Sequence, residues 1–159
     1  MKVIIAIDNS KPSDTLIKDV ATRQWDGDDQ FMVLHVVSLP DPNHWPEYGL
    51  SVWSDLKQKM LLDAGELVES KQAYLKANMK DSHTFTAKVV EGRVCDAIVE
   101  EAKLWHADLI TIAARGHSAM ERWVLGSVAD GVLKQTPCSV EIFKSKATQK
   151  KSLATPIAH

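Results

Sequence analysis

Hydrophobic and polar positions along the chain fall into two alternating rhythms. Five short stretches rich in β-branched and aliphatic residues, Val3 to Ile7, Phe31 to Val37, Thr84 to Val90, Leu109 to Ala113 and Val140 to Phe143, read as strands. Four of them are nearly continuous in apolar character, the mark of strands covered on both faces, whereas Thr84 to Val89 alternates and reads as an edge strand with one wet face. Helical spacing runs between them. Residues 13 to 24 open on Ser13 as an N-cap after Pro12 and carry Leu16, Ile17 and Val20 on one side. Residues 51 to 78 place Leu56, Met60, Ala64, Leu67, Lys71 and Tyr74 or Leu75 at steps of three and four. Residues 94 to 106 align Val94, Ala97, Ile98, Ala102 and Trp105, and residues 127 to 135 turn Val128, Val132 and Leu133 inward before the stop at Pro137.

Strict alternation of strand and helix implies an α/β fold: a doubly wound, five-stranded parallel sheet with right-handed crossovers and helices on both faces. Residues 38 to 50, with three prolines and two aromatics, break the rhythm and read as an ordered or lid-like loop. The segment from 145 to 159 has no periodicity and is expected to be a mobile tail beyond a domain spanning 1 to 144.

Composition narrows the function classes. At 159 residues, 45% hydrophobic and 25% charged, the chain suits one domain with its own core. Nineteen Lys and Arg face 21 Asp and Glu, for a net charge of -2, which excludes a polybasic nucleic-acid binder. Four of the lysines, Lys144, Lys146, Lys150 and Lys151, lie in the last 16 residues without an acid, so residues 1 to 143 carry 15 against 21, a balance of -6. Cys95 and Cys138 belong to no CxxC or His-spaced pattern, which argues against a disulfide staple and a structural zinc. The first apolar run is too short for a signal peptide, and no stretch approaches the ~20 apolar residues of a membrane helix. A cytoplasmic protein with reduced thiols and no membrane partner is the expectation.

In a doubly wound sheet, ligands bind beyond the carboxyl ends of the strands where strand order reverses. That rule nominates Asp8-Asn9-Ser10, where the acid either accepts from a ribose hydroxyl or caps the turn. It also nominates the stretch from Ala113 to Gly126-Ser127, where glycine at a helix start either admits a phosphate to free N–H groups or is a plain cap. No GxxxxGK[ST] occurs, and no GxGxxG follows the first strand. The acid cluster of a receiver domain is missing too, because the third strand ends Val89-Val90-Glu91. His35 reads as a satisfied core or pocket-edge histidine rather than a catalytic one, Cys95 as a small buried filler, and the remaining histidines are scattered without metal-ligand spacing. Trp45, Tyr48 and Trp53 suit a lid, a subunit contact or a cover for the core.

Taken together, these residues resemble the universal stress protein family over residues 1 to 144. Its nucleotide-binding members carry G-x2-G-x9-G-[ST] after the fourth strand; Gly116, Gly126 and Ser127 match, and Ala113 replaces the first glycine. Leu34-His35-Val36-Val37, Glu91-Gly92-Arg93, Ala107-Asp108-Leu109-Ile110 and Thr136-Pro137-Cys138-Ser139-Val140 add to the match. The resemblance implies an adenine nucleotide alpha-hydrolase-like fold with sheet order 3-2-1-4-5. It further implies adenine and ribose near Ala6, Asp8 and Val36, and phosphates across Ala113, Arg115, Gly116, Gly126, Ser127 and Val128. The implied ligand is ATP, with any Mg²⁺ arriving on the triphosphate, and AMP or ADP as other occupants. A homodimer through Val140, Glu141, Ile142 and Phe143 is implied as well, since that last strand leaves an open edge. Alanine at 113 costs of order 1 kcal/mol if the site needs a positive φ, and little in β geometry. The expectation is thus a nucleotide-gated dimeric stress-response module with at most slow hydrolysis. Its alternatives are a family member that binds no nucleotide and acts as a dimeric interaction protein, and an adenine-nucleotide hydrolase or transferase, whose HxGH or SGGxDS signatures are missing.

Overall fold

The computed structural model describes residues 1–41, 49–114 and 125–144. Its elements follow the apolar rhythm: β1 (Lys2–Ala6), α1 (Lys11–Thr22), β2 (Gln30–Val37), α2 (Gly49–Asn78), β3 (Thr84–Glu91), α3 (Val94–Trp105), β4 (Leu109–Ala113), α4 (Ser127–Gln135) and β5 (Ser139–Phe143). The strands form one parallel sheet in the order β3-β2-β1-β4-β5, with Ile5 opposite Val33 on one side and Thr111 on the other. Both predicted edges stand at the edges.

Because successive side chains of a strand point to opposite faces, each central strand feeds two cores. Ile4, Met32, Leu34 and Ile110 pack with Ile98, Val99 and Ala102 of α3 and with Ala129 and Val132 of α4. Val3, Ile5, Phe31 and Val33 pack on the other face with Leu16, Ile17 and Val20 of α1 and with Val68 and Leu75 of α2. Each fully buried aliphatic side chain contributes roughly 1.5–3 kcal/mol, so the near-continuous apolar runs are what selects the doubly covered sheet. Thr111, at the centre of β4, is fully buried with no hydrogen-bond partner for its hydroxyl. Thr111→Val keeps the shape and removes that unpaired group; thermal unfolding is expected to show a gain of about 1 kcal/mol. A loss of stability would assign the hydroxyl a partner.

Three local expectations are corrected, and one open choice is settled. The N-cap of α1 is Ser10, whose side chain accepts from the Ser13 N–H, while Ser13 lies inside the helix with Pro12 in its first turn. A cap must precede the turn whose N–H it accepts, and Pro12 fits the first turn because it has no N–H to satisfy. Leu133 is exposed at 51%, and Ala129 takes the inward position with Val132, because the short α4 meets the sheet along a narrower stripe. Gly49 and Leu50 belong to α2 rather than to the preceding loop, whose residues 42–48 lie outside the described set. Of Tyr74 and Leu75, Leu75 is the buried one. The tail from 145 lies outside the described residues.

Candidate functional site

Three turns at the carboxyl ends of the strands enclose one crevice. Beyond β1, Asp8 starts the turn into α1: its N–H donates to Ser13 Oγ at 3.0 Å, and its carboxylate accepts from Ser13 Oγ at 2.7 Å and from Ser10 Oγ. The two readings of Asp8 therefore meet in one residue, since the carboxylate that organises the turn also lines the crevice. Beyond β3, Gly92 adopts φ +148 and donates its N–H to the Val37 carbonyl at 3.1 Å, a conformation open to glycine that delivers α3 to the rim. Beyond β4, the chain reaches α4 through Gly126.

The crevice has a volume of about 220 Å³, with apolar walls from β1, β2, β4 and α3, Ile98 and Ile112 among them. Seven of the residues expected at a nucleotide, Ala6, Asp8, Val36, Ala113, Gly126, Ser127 and Val128, line it together. Arg115 and Gly116 lie outside the described residues, as do Trp45, Tyr48 and Trp123. Ser10, nominated with its turn, and His35, read as a core or pocket-edge residue, also form the lining, as do Ser13, Val94 and Ile98, which sequence reasoning did not place at the site. Ser10 and Ser13 were legible as helix-start residues next to Asp8. Val94 and Ile98 were read only as helix stripe, and nothing local shows that the end of this stripe overhangs the sheet.

Ala113 is the residue on which the expectation turned. It stands in β4 opposite Phe143, and the one non-glycine residue with positive φ among those described is His106. Its side chain packs with the core on the α1 and α2 face, while neighbouring Ile112 faces the other. Ordinary extended backbone needs no glycine there. Ala113→Gly is accordingly expected to leave any nucleotide affinity within about twofold and to cost roughly 0.5–1 kcal/mol of stability; calorimetric titration and melting measure the two. A gain in affinity of tenfold or more would return Ala113 to the role of weak link.

Gly126 caps α4 with φ -58 and ψ 148, and the helix start carries no side-chain cap. The Gly126 carbonyl accepts from the Asp130 N–H at 2.9 Å, which leaves the earlier N–H groups of the first turn for another acceptor. Asp130 puts a negative charge in that turn, offset by Lys134 at 2.7 Å. The α3 start at Val94 also borders the crevice without a side-chain cap. Three helix starts, those of α1, α3 and α4, thus turn partial positive charge toward one space, which favours an anion there. Among the described residues no group of three or more His, Cys, Asp or Glu can hold a metal ion.

Burial pushes the Cys95 thiol up, and Asp96 adds to it. The sulfur abuts α4, for a Cβ at Gly131 would stand 2.7 Å from it. This is a partly buried thiol packed against α4 and not an activated one. Trp53 donates through Nε1 to the Pro40 carbonyl at 3.4 Å, tying α2 to the end of the β2 connection. No helix among the described residues is long and apolar enough to cross a membrane.

Comparison with known proteins agrees with this geometry. A universal stress protein of Methanocaldococcus jannaschii is 29% identical over 147 residues, covering 90% of this chain and 81% of that one. A family protein from Arabidopsis thaliana with AMP bound has a similar fold, with TM-score 0.63 at 18% identity, covering 100% of this chain and 99% of that one. A universal stress protein in complex with cAMP superposes with TM-score 0.59 at 19% identity, covering 91% of this chain and 96% of that one. The family model described as the universal stress protein family matches residues 1–144. By that match, and with its five-stranded sheet and crevice, the chain belongs to the universal stress protein family.

Proposed function

We propose that this protein is a dimeric, adenine-nucleotide-binding module of its family, with ATP as the principal ligand and AMP or ADP as further occupants. The observation that carries the reading is the convergence of Asp8, Val36 and the uncapped start of α4 on one crevice. Its volume, about 220 Å³, lies below the ~300–1,000 Å³ of pockets that engulf a drug-sized ligand. The nucleoside occupies the apolar part and the phosphates run outward along Gly126, Ser127 and Val128. The Asp8 carboxylate, already held by two serine hydroxyls, accepts from the ribose. Any Mg²⁺ rides on the phosphates. Fold relatives solved with AMP and cAMP support the class of ligand. The serine hydroxyls on the Asp8 carboxylate serve the turn into α1, and the reading is one of binding with at most slow hydrolysis.

The dimer half of the reading rests on the two sheet edges. β3 shows polar residues and Lys88 along its length, devices that discourage pairing, whereas β5 presents Val140, Ile142 and Phe143 with one charge, Glu141, tied to Arg23 at 2.7 Å. Two copies joined through β5 by a two-fold axis close that edge. Mass spectrometry of the purified protein, titration calorimetry with ATP, ADP and AMP, and light scattering test both halves. Bound adenine nucleotide and a dimer mass are expected. No binding at millimolar ATP would favour the dimeric interaction protein without a nucleotide, and a monomer mass would remove the β5 pairing.

A further inference from the structure

The ladder between β1 and β2 stops at Ala6 opposite Leu34, just where the crevice opens. Even-numbered residues of β2 turn their backbone groups toward β1: the Gln30 N–H donates to the Met1 carbonyl at 2.9 Å, and the Leu34 carbonyl accepts from the Ile7 N–H at 2.9 Å. Continued by one step, the same alternation would join the Val36 N–H to the Ile7 carbonyl. That step is missing from the register. The Ile7 carbonyl lies instead 2.8 Å from His35 Nδ1. A carbonyl only accepts, so Nδ1 carries the proton and donates. Val36 lines the crevice with its N–H on the side that β1 has left. Asp8, the next residue of the diverted strand end, is pinned from the other side by Ser13.

We propose that His35 is a positioning residue: its ring draws the Ile7 carbonyl away from the Val36 N–H, keeping that donor out of the ladder and fixing the strand end from which Asp8 departs. Its effect on ligand binding rests on the nucleotide reading above; the strand-end role does not. Without the ring donor, the Ile7 carbonyl is free to complete the ladder with the Val36 N–H and to close the donor off.

Amide exchange by NMR on the ligand-free full chain tests the strand-end role. The Val36 amide is expected to exchange at least about tenfold faster than that of Leu34, and in His35→Leu to slow by at least about tenfold. His35→Asn, whose side-chain amide reaches the same carbonyl, should keep the wild-type rate. Ring nitrogen shifts should show the Nδ1-protonated form. A Val36 amide as slow as Leu34 in the wild type, a rate unmoved by His35→Leu, or a ring protonated on Nε2 overturns the role; His35→Phe, which keeps a ring and removes the donor, should show the same slowing and decides it if His35→Leu fails to fold.

Titration with ATP carries the test to the crevice. His35→Leu is expected to bind ATP about tenfold more weakly than the wild type, and His35→Asn within about twofold of it. Equal affinities in all three overturn a role of the strand end in binding. A wild type that binds no ATP overturns the nucleotide reading, while the exchange rates still decide what His35 does to the strand end.

Discussion

Gly126→Val is expected to weaken ATP binding by about ten- to a hundredfold or more while the fold survives. At φ -58 and ψ 148 the backbone suits any residue, so the substitution imposes no conformational strain. Its cost to stability is that of a poor cap for a tolerable one, about 1 kcal/mol or less. Binding is different. A phosphate held by N–H groups of the first turn must approach the backbone closely, and hydrogen bonds to a charged acceptor are worth roughly 1.5–3 kcal/mol each. A branched side chain on the cap residue, itself part of the crevice lining, displaces the phosphate from at least one of them. Gly126→Ser, a better cap with a smaller side chain, should fall between the two. Calorimetry and a melting curve separate the effects, and unchanged affinity in the valine variant would place the phosphates elsewhere.

The second large effect is on stability alone. Phe31 is fully buried, and its ring meets Trp25 at 5.0 Å, His83 at 5.4 Å and Phe85 at 5.5 Å between centroids. Phe31→Ala removes the centre of that cluster and leaves a cavity that flanking helices cannot fill, at a cost of about 3–5 kcal/mol. Against a total of roughly 5–15 kcal/mol, that is at least about a fifth of the stability. Its melting temperature should fall by roughly 6–20 °C. Phe31 pairs with Val3 at the amino end of the sheet, whereas the crevice begins at Ala6 and Leu34. Nucleotide affinity, measured well below the transition, should therefore stay within about threefold of the wild type. A smaller melting shift would mean that the cluster repacks, and lost affinity would mean that the two ends of the sheet are coupled.

Of the site, the sequence disclosed the residues whose chemistry is unusual for their place: an acid at the end of an apolar strand, and a glycine opening a helix. It could not disclose what each would touch. Asp8 had two readings; the serines around it show that its carboxylate holds the turn, and its contact with a ribose belongs to the proposed function. Ala113 had two readings as well, which only its extended backbone and its packing on the α1 and α2 face separated. Ser13 was misplaced because a serine after a loop is a plausible cap wherever the first turn begins. Hydrogen bonds decide among such serines, and here they choose Ser10.

The apolar rhythm by itself determined the order of elements, the two covered faces and the edge place of β3, because burial of a continuous run leaves a parallel sheet few other solutions. The tertiary structure alone decided which backbone groups stay unpaired. That depends on where β1 parts from β2, and the parting is set by a ring nitrogen of His35 reaching the Ile7 carbonyl across two strands, a contact between residues 28 positions apart in the sequence.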